Sequence, residues 1–403
     1  MNHLLVSYHT CPLEEPGVGL SGGMNVFLRG LIEGLAARGI RTDVLTRGKG
    51  KGIETTHPFP GVRILHVPCG WKEPPTRESA HDALPRFIAG ARDLLASTRT
   101  EYDAVSAHYW MSGVAARGIL RRVPPRGASR LAMNRLVLMY HTLEARKAAP
   151  AGATLRNLSV LRKREEERLS VECGRVVFLS RHDFARTRMV LPAVAGKSSI
   201  VAPGLDDAFL HPPSRAEARR RAGVPADSFL FLLAARPDPG KNIDAAFNAF
   251  RALRAEEGGR VRLLVAGQKV PRAALPEGAD CAGAVPHAEM PSIFAAADAV
   301  LCPSTYESFG LVPLEAMAAG TPVTVPLGGY WGKRISSGGG GLAYPPGAEC
   351  GLVEAMRALC RDKALRKRLG GEGKRVAAAF TWEKCTESWA RLLSRCARPG
   401  NPR

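Results

Sequence analysis

The chain has 403 residues, 45% of them apolar and 23% charged, and contains no run of about 18 apolar residues, which excludes a disordered chain or a membrane-spanning one and leaves room for two or three domains. Its 57 Lys+Arg against 37 Asp+Glu give a net charge of +20, a field that attracts nucleic acid, anionic lipid or phosphorylated substrates. With 6% aromatic residues and no zinc-finger spacing, RNP-like strand or basic heptad region, nucleic acid is not the expected partner, and nine cysteines without C-x-x-C or a Cys/His cluster read as reduced, mostly buried thiols.

In chain order, the start "MNHLLVSYHT" turns polar within a few residues, so no signal peptide is expected and the protein is placed in the cytoplasm. Strand-like runs then alternate with helical ones: "HLLVSYH", "RTDVLT", "VRILHVP", "YDAVSAH", "RLVLMYH", "RVVFLS" and "SSIVAPG". That alternation predicts a doubly wound parallel sheet. Between the first two runs, Phe27, Leu28, Leu31, Ile32 and Leu35 recur on one helical face, and Gly39 follows as a stop. A Pro/Gly/Asp segment, "VAPGLDDAFLHPPS", interrupts the pattern before a second series, "FLFLLAARPD", "VRLLVAG", "AVLCPS", "PVTVP" and "GLAYP".

Two Rossmann-like series joined by one linker predict an α/β chain of two facing domains, with the chemistry in a cleft at the carboxyl ends of their strands. The domains are drawn at 1–205 and 206–380. The final "TWEKCTESWARLLSRC" reads as an amphipathic helix within 381–403, packing back toward the first domain, and "ARPGNPR" as a frayed tail.

Gly17, Gly19 and Gly22 satisfy G-x-G-x-x-G, the dinucleotide pattern. However, seven residues separate His9 from Gly17, and the second strand ends at Thr46 and Arg47 without the acid that would hold a ribose. "AGKSS" imitates a phosphate loop but has Leu191 where the first glycine is required. What remains is Ser21, Gly22 and Gly23 ahead of a helix, whose backbone N–H groups and dipole suit an anion. On this loop alone, a merely tight strand-to-helix turn stays open.

Further along, "PSTYESFGLVPLEAMAAGTP" sets Glu307 and Glu315 eight positions apart, the first just before a helix starting near Phe309 or Gly310 and the second about one turn inside it. Such carboxylates can each take a pair of sugar hydroxyls while the helix N-terminus between them receives phosphate. In "AARPDPGKN", Arg236 and Lys241 follow a strand end, two cations that suit a diphosphate leaving group.

The glycine loop, the R-x4-K pair and the E-x7-E pair, in this order along the chain, resemble the retaining glycosyltransferases of family 4, which have the GT-B fold. The amino-terminal half resembles the D-inositol-3-phosphate glycosyltransferases of mycothiol synthesis through "HTCPLEEPGVGLSGGMN", "AHYWMSG" and "YHTLEARKAA", and "RPDPGKN" is similar to sucrose-phosphate synthases. The resemblance implies that Arg236 and Lys241 hold the donor diphosphate, Glu315 the nucleotide ribose and Glu307 the transferred sugar, with Ser308, Phe309 and Gly310 beside it. Gly22 and Gly23 would approach the diphosphate. Acceptor contacts would come from His9, Asn25, Lys72, Tyr109, Thr142 and Arg162, and His141 would lie near the reacting sugar.

Leu20 stands where the inositol-phosphate enzymes carry an acid, so a hydroxyl-binding carboxylate is expected to be missing from the acceptor site. The implied reaction moves a hexosyl unit from a nucleoside-diphosphate sugar, with UDP the base the resemblance points to, onto a small, phosphorylated or otherwise anionic hydroxyl acceptor, free or lipid-linked. Catalytic roles fall to His141, Arg236, Lys241 and Glu307. The nucleotide sugar is a co-substrate and no cofactor is required; no D-x-D occurs, so no metal is predicted. The basic surface admits peripheral contact with an anionic membrane at its inner face. Two other classes compete: an NAD-dependent oxidoreductase using the Gly17–Gly22 loop, and a noncatalytic basic protein that binds nucleic acid.

Overall fold

A computed structural model describes residues 1–16, 21–70, 76–98, 100–121, 132–147, 153–236, 238–267, 270–347 and 349–397. Gly17, Gly19, Leu20 and Lys72 lie outside the described residues. The chain forms two compact units. One holds Met1–Glu14, the stretch from the first helix to Gly204, and the C-terminal helix; the other holds Leu205–Thr381.

The first unit is built on strands β1 (Asn2–Val6), β2 (Arg41–Gly48), β3 (Glu54–Thr56), β4 (Val62–Pro68), β5 (Ala104–His108), β6 (Leu136–Met139), β7 (Arg175–Phe178) and β8 (Ser198–Ile200). They form one sheet in the order β3-β4-β2-β1-β5-β6-β7-β8, parallel except for the β3–β4 pair. Val6 pairs with Leu45 on one side and Ala107 on the other, and His108 pairs with Met139. This register brings the loops after β1, β2, β5 and β6 to one edge of the sheet.

The helix Gly23–Ala36 buries Phe27, Leu28, Leu31, Ile32 and Leu35, the face its periodicity predicts. Trp389, Leu393 and Cys385 of the C-terminal helix, Trp382–Ala397, share that core. Close approach depends on glycine: a Cβ on Gly30 would stand 2.3 Å from the Trp382 ring, and one on Gly34 would stand 2.4 Å from Thr386 Cγ2.

The second unit is a six-stranded parallel sheet of β9 (Phe229–Ala235), β10 (Val261–Gly267), β11 (Ala279–Gly283), β12 (Ala299–Leu301), β13 (Val323–Pro326) and β14 (Gly341–Tyr344), ordered β11-β10-β9-β12-β13-β14. Phe231, Phe250, Leu263, Val265, Leu301, Met356 and Leu359 make its buried core on one face. No described helix is long and apolar enough to cross a membrane. All nine cysteines are free thiols, and six are buried.

Two strands escape the sequence reading. β3 is the three-residue, polar, fully exposed "ETT", and β11 is "ADCAG", without a β-branched residue; both are edge strands that lack the apolar run that marks a strand. The helix placed near Phe309 or Gly310 runs Leu311–Ala318, with Gly310 as its N-cap.

Candidate active site

Among the described residues, three that are not glycine have positive φ: Tyr109 (80°), His141 (61°) and Asn242 (52°). Each follows the carboxyl end of a strand, β5, β6 and β9 respectively. Left-handed backbone in bulky residues is costly and persists where the surrounding structure over-determines it.

In the first unit these loops gather the expected acceptor residues. The His9 and Tyr109 rings lie 4.4 Å apart, the Tyr109 hydroxyl accepts from Arg162 Nη1 at 3.1 Å, and Arg162 Nη2 donates to Thr142 O at 2.6 Å. His141 Nε2 meets His108 Nδ1 at 3.1 Å, and the edge of Phe27 covers the His141 ring. Burial lowers the pKa of both imidazoles well below the ordinary histidine range, so the pair is neutral and a single shared proton joins it. A neutral His141 can donate or accept a hydrogen bond and is a poor general base.

The glycine loop differs from its expectation in two ways. The Gly22 N–H is not bare: it donates to Asn25 Oδ1 at 2.9 Å. Asn25, expected to face the acceptor, is only 1% exposed, and its Nδ2 is spent on Thr10 Oγ1 (2.8 Å) and Cys11 O (2.7 Å). Here it caps the helix and ties down the preceding loop. Nor is the neighbourhood without a carboxylate: Glu14 Oε2 accepts from Thr10 Oγ1 and Ser21 Oγ, both at 2.8 Å.

In the second unit, the loops after β9 and β12 are laced together. Asp238 Oδ1 accepts from Gly240 N at 2.9 Å, and Gly240 O accepts from Thr305 N at 2.9 Å. That lacing brings Lys241 Nζ onto Glu307 Oε1 as a half-buried ion pair. The sequence reading gave these two residues separate tasks; the fold bonds them to each other. Arg236 is half-buried at the end of β9.

Ser308 and Phe309 are buried, Ser308 Oγ within 3.3 Å of Tyr306 OH and Phe309 stacked on Tyr330 at 5.0 Å. Gly310 has φ 89°, its carbonyl accepts from Trp331 Nε1 at 2.8 Å, and a Cβ there would stand 3.1 Å from Trp331 Cδ1. A pocket of about 580 Å³, open to solvent, runs from Lys241 and Glu307 past Cys302 to Phe309, Tyr330 and Trp331.

Glu315, four residues into its helix after Gly310, is 7% exposed, and burial pushes its carboxyl up to about 7, with His287 opposing the shift. His287 Nε2 in turn meets Asp206 Oδ2 at 3.1 Å. Sequence reading missed Glu14, Glu144, Glu166, Asp206 and His287. Of these, only Glu166 carries a local signal, the i,i+4 spacing of a helical ion pair with Arg162.

Residues 21–209 match the family model for Glycosyltransferase Family 4, and residues 214–376 match that for Glycosyl transferases group 1. The chain is 31% identical to a D-inositol 3-phosphate glycosyltransferase of Actinosynnema mirum, over 95% of this chain and 94% of that one, and 32% identical to another from Geodermatophilus obscurus, over 95% and 87%. In fold it is similar to sucrose-phosphate synthase from Thermosynechococcus elongatus, with TM-score 0.85, 24% identity and 98% of each chain covered. It is also similar to Anabaena HepE solved with UDP and glucose, with TM-score 0.70, 19% identity, and 98% and 100% covered. The chain is therefore a member of the GT-B glycosyltransferases, matching the Glycosyltransferase Family 4 model in its amino-terminal half and the Glycosyl transferases group 1 model in its carboxyl-terminal half.

Proposed function

We propose that this glycosyltransferase moves a hexosyl unit, with retention of configuration, from a UDP-sugar to a hydroxyl of a small phosphorylated or otherwise anionic acceptor, free or lipid-linked. The observation that carries the reading is the Lys241–Glu307 pair, a cation suited to a diphosphate bonded to an acid suited to sugar hydroxyls, at the rim of an aromatic-walled pocket. Support for UDP comes from HepE, solved with UDP and glucose, and support for an anionic acceptor from the relatives named for inositol 3-phosphate.

In the proposed reaction, the acceptor oxygen bonds to the anomeric carbon from the face that the diphosphate leaves, the bond from that carbon to the phosphate oxygen breaks, and the acceptor proton passes to a leaving-phosphate oxygen. Arg236 and Lys241 stabilise the charge that develops there, and Glu307 and the Ser308–Gly310 backbone hold the sugar. His141, being neutral, donates or accepts a hydrogen bond at the sugar without removing the proton. Glu315, once ionised, accepts from the nucleotide ribose. His9, Tyr109, Thr142 and Arg162 face the acceptor, with Gly23 at the start of its helix close to the diphosphate. The proposal requires no resident cofactor or metal.

Thermal stabilisation by UDP, GDP, ADP and NAD in EDTA tests the donor assignment, because a ligand bound only by the native state raises apparent stability. UDP is expected to give the largest shift. A shift with NAD alone would return the glycine loop to a dinucleotide role and end the transferase mechanism proposed here.

A further inference from the structure

A guanidinium has five N–H donors. Arg162 turns all three of its nitrogens on the chain itself: Nε donates to Glu166 Oε1 (2.6 Å), Nη1 donates to Tyr109 OH (3.1 Å) and is ion-paired with Glu144 Oε2 (3.0 Å), and Nη2 donates to Thr142 O (2.6 Å) and Thr142 Oγ1 (3.2 Å). The residue is 3% exposed. Burial works against its charge, but Tyr109, Glu166 and Glu144 more than offset this and hold it protonated. An anion therefore reaches Arg162 only by displacing one of these partners.

The two carboxylates are not equivalent. Glu166 is 1% exposed and also accepts the Glu144 backbone N–H at 2.9 Å, so it belongs to the frame of the fold. The Glu144 side chain is 12% exposed and opens a short 3-10 turn, Glu144–Arg146. It already has a second partner within reach, Lys147 Nζ at 3.5 Å from the same Oε2. Tyr109 and Thr142 are neutral, and a phosphate has no charge repulsion with them. Glu144 is the group whose charge a phosphate would oppose and whose place on the fork it would take.

We infer that Glu144 occupies the seat on Arg162 that the acceptor's anionic group takes, and that the acceptor displaces Glu144 toward Lys147 as it binds. Glu144 is then an acceptor-selecting residue. A phosphate monoester, with up to two negative charges and three oxygens, competes for the fork, whereas a monoanionic carboxylate gains little over the one already there. The inference rests on the proposal that the acceptor is anionic, and it names the side chain that sets how strongly such a group is held.

The test uses inorganic phosphate as the probe, with affinities measured at constant ionic strength for the wild-type chain, Glu144→Gln and Glu144→Ala. UDP-induced stabilisation of each variant serves as the check of folding. Glu144→Gln keeps the size and an acceptor oxygen but removes the charge, and is expected to bind phosphate about tenfold tighter than wild type. The gain should disappear when Arg162→Met is added. If wild type and both variants bind phosphate equally while all respond to UDP, the inference is overturned and the anionic-acceptor reading stands. If none binds phosphate while UDP still stabilises them, both fall together.

Discussion

Replacing Lys241 with alanine is expected to lower kcat about 100- to 1,000-fold, the effect of losing one preorganised donor at a developing negative charge. The number alone does not fix the mechanism, because Lys241 is ion-paired with Glu307, and its removal leaves that carboxylate without its cation. The double variant Lys241→Met/Glu307→Gln, read against Glu307→Gln alone, separates the two possibilities. If Lys241 serves only to neutralise Glu307, the double variant is no slower than Glu307→Gln, because no charge is left to neutralise. If it stabilises the leaving diphosphate, the double variant is at least about tenfold slower than Glu307→Gln, and that is the expected outcome. Equal kcat in Glu307→Gln and the double variant would take Lys241 out of the transition state.

Glu315→Gln should make the protein more stable at pH 8 and worse at binding its nucleotide. The buried carboxyl titrates at about 7 against an ordinary 4.5. Between these values the native state keeps a proton that the unfolded chain has released, so stability falls as pH rises from about 4.5 to 7 and stays lower above it. The full cost of holding this charge is roughly 3 kcal/mol above pH 7, and glutamine does not carry it. The melting temperature of the variant should therefore exceed that of wild type at pH 8 and converge with it near pH 4.5. Stabilisation by UDP should weaken at least tenfold, because the ionised carboxylate is the acceptor proposed for the ribose hydroxyls. A stability difference independent of pH would show that Glu315 is not the titrating group, and undiminished UDP stabilisation would remove it from the donor site. Burying an acid at such cost is the pattern of a site kept for binding.

These expectations show which parts of the molecule were legible in the sequence. Twelve of the fourteen strands among the described residues announce themselves in the sequence as strand-like runs, and the helix Gly23–Ala36 by the period of Phe27, Leu28, Leu31, Ile32 and Leu35, because burial against a sheet imposes a repeat that a linear reading detects. β3 and β11 lie at sheet edges, where burial imposes little. Within the site, Arg236–Lys241 and Glu307–Glu315 are legible as spaced pairs.

Their physical state is not. That Lys241 closes on Glu307, 66 positions away, depends on the Thr305–Gly240 hydrogen bond between two loops. Asn25 shows the reverse case. Its place three residues after Gly22 is the spacing of a helix cap, a local signal that points to a structural task where the family resemblance implied an acceptor contact. Arg162 lies within the helix Ala153–Glu172, and Glu144 lies 18 positions before it in a separate 3-10 turn, so the fold, and not the spacing, reveals that Glu144 joins Glu166 on the expected anion-binding arginine.

The most direct test of retaining sugar transfer is the configuration of the product. The protein would be incubated with α-linked UDP-glucose and D-inositol 3-phosphate in EDTA, and the anomeric proton of any glycoside followed by NMR as UDP is released. The account predicts an α-linked product formed one for one with UDP and without added metal. A β-linked product would contradict it.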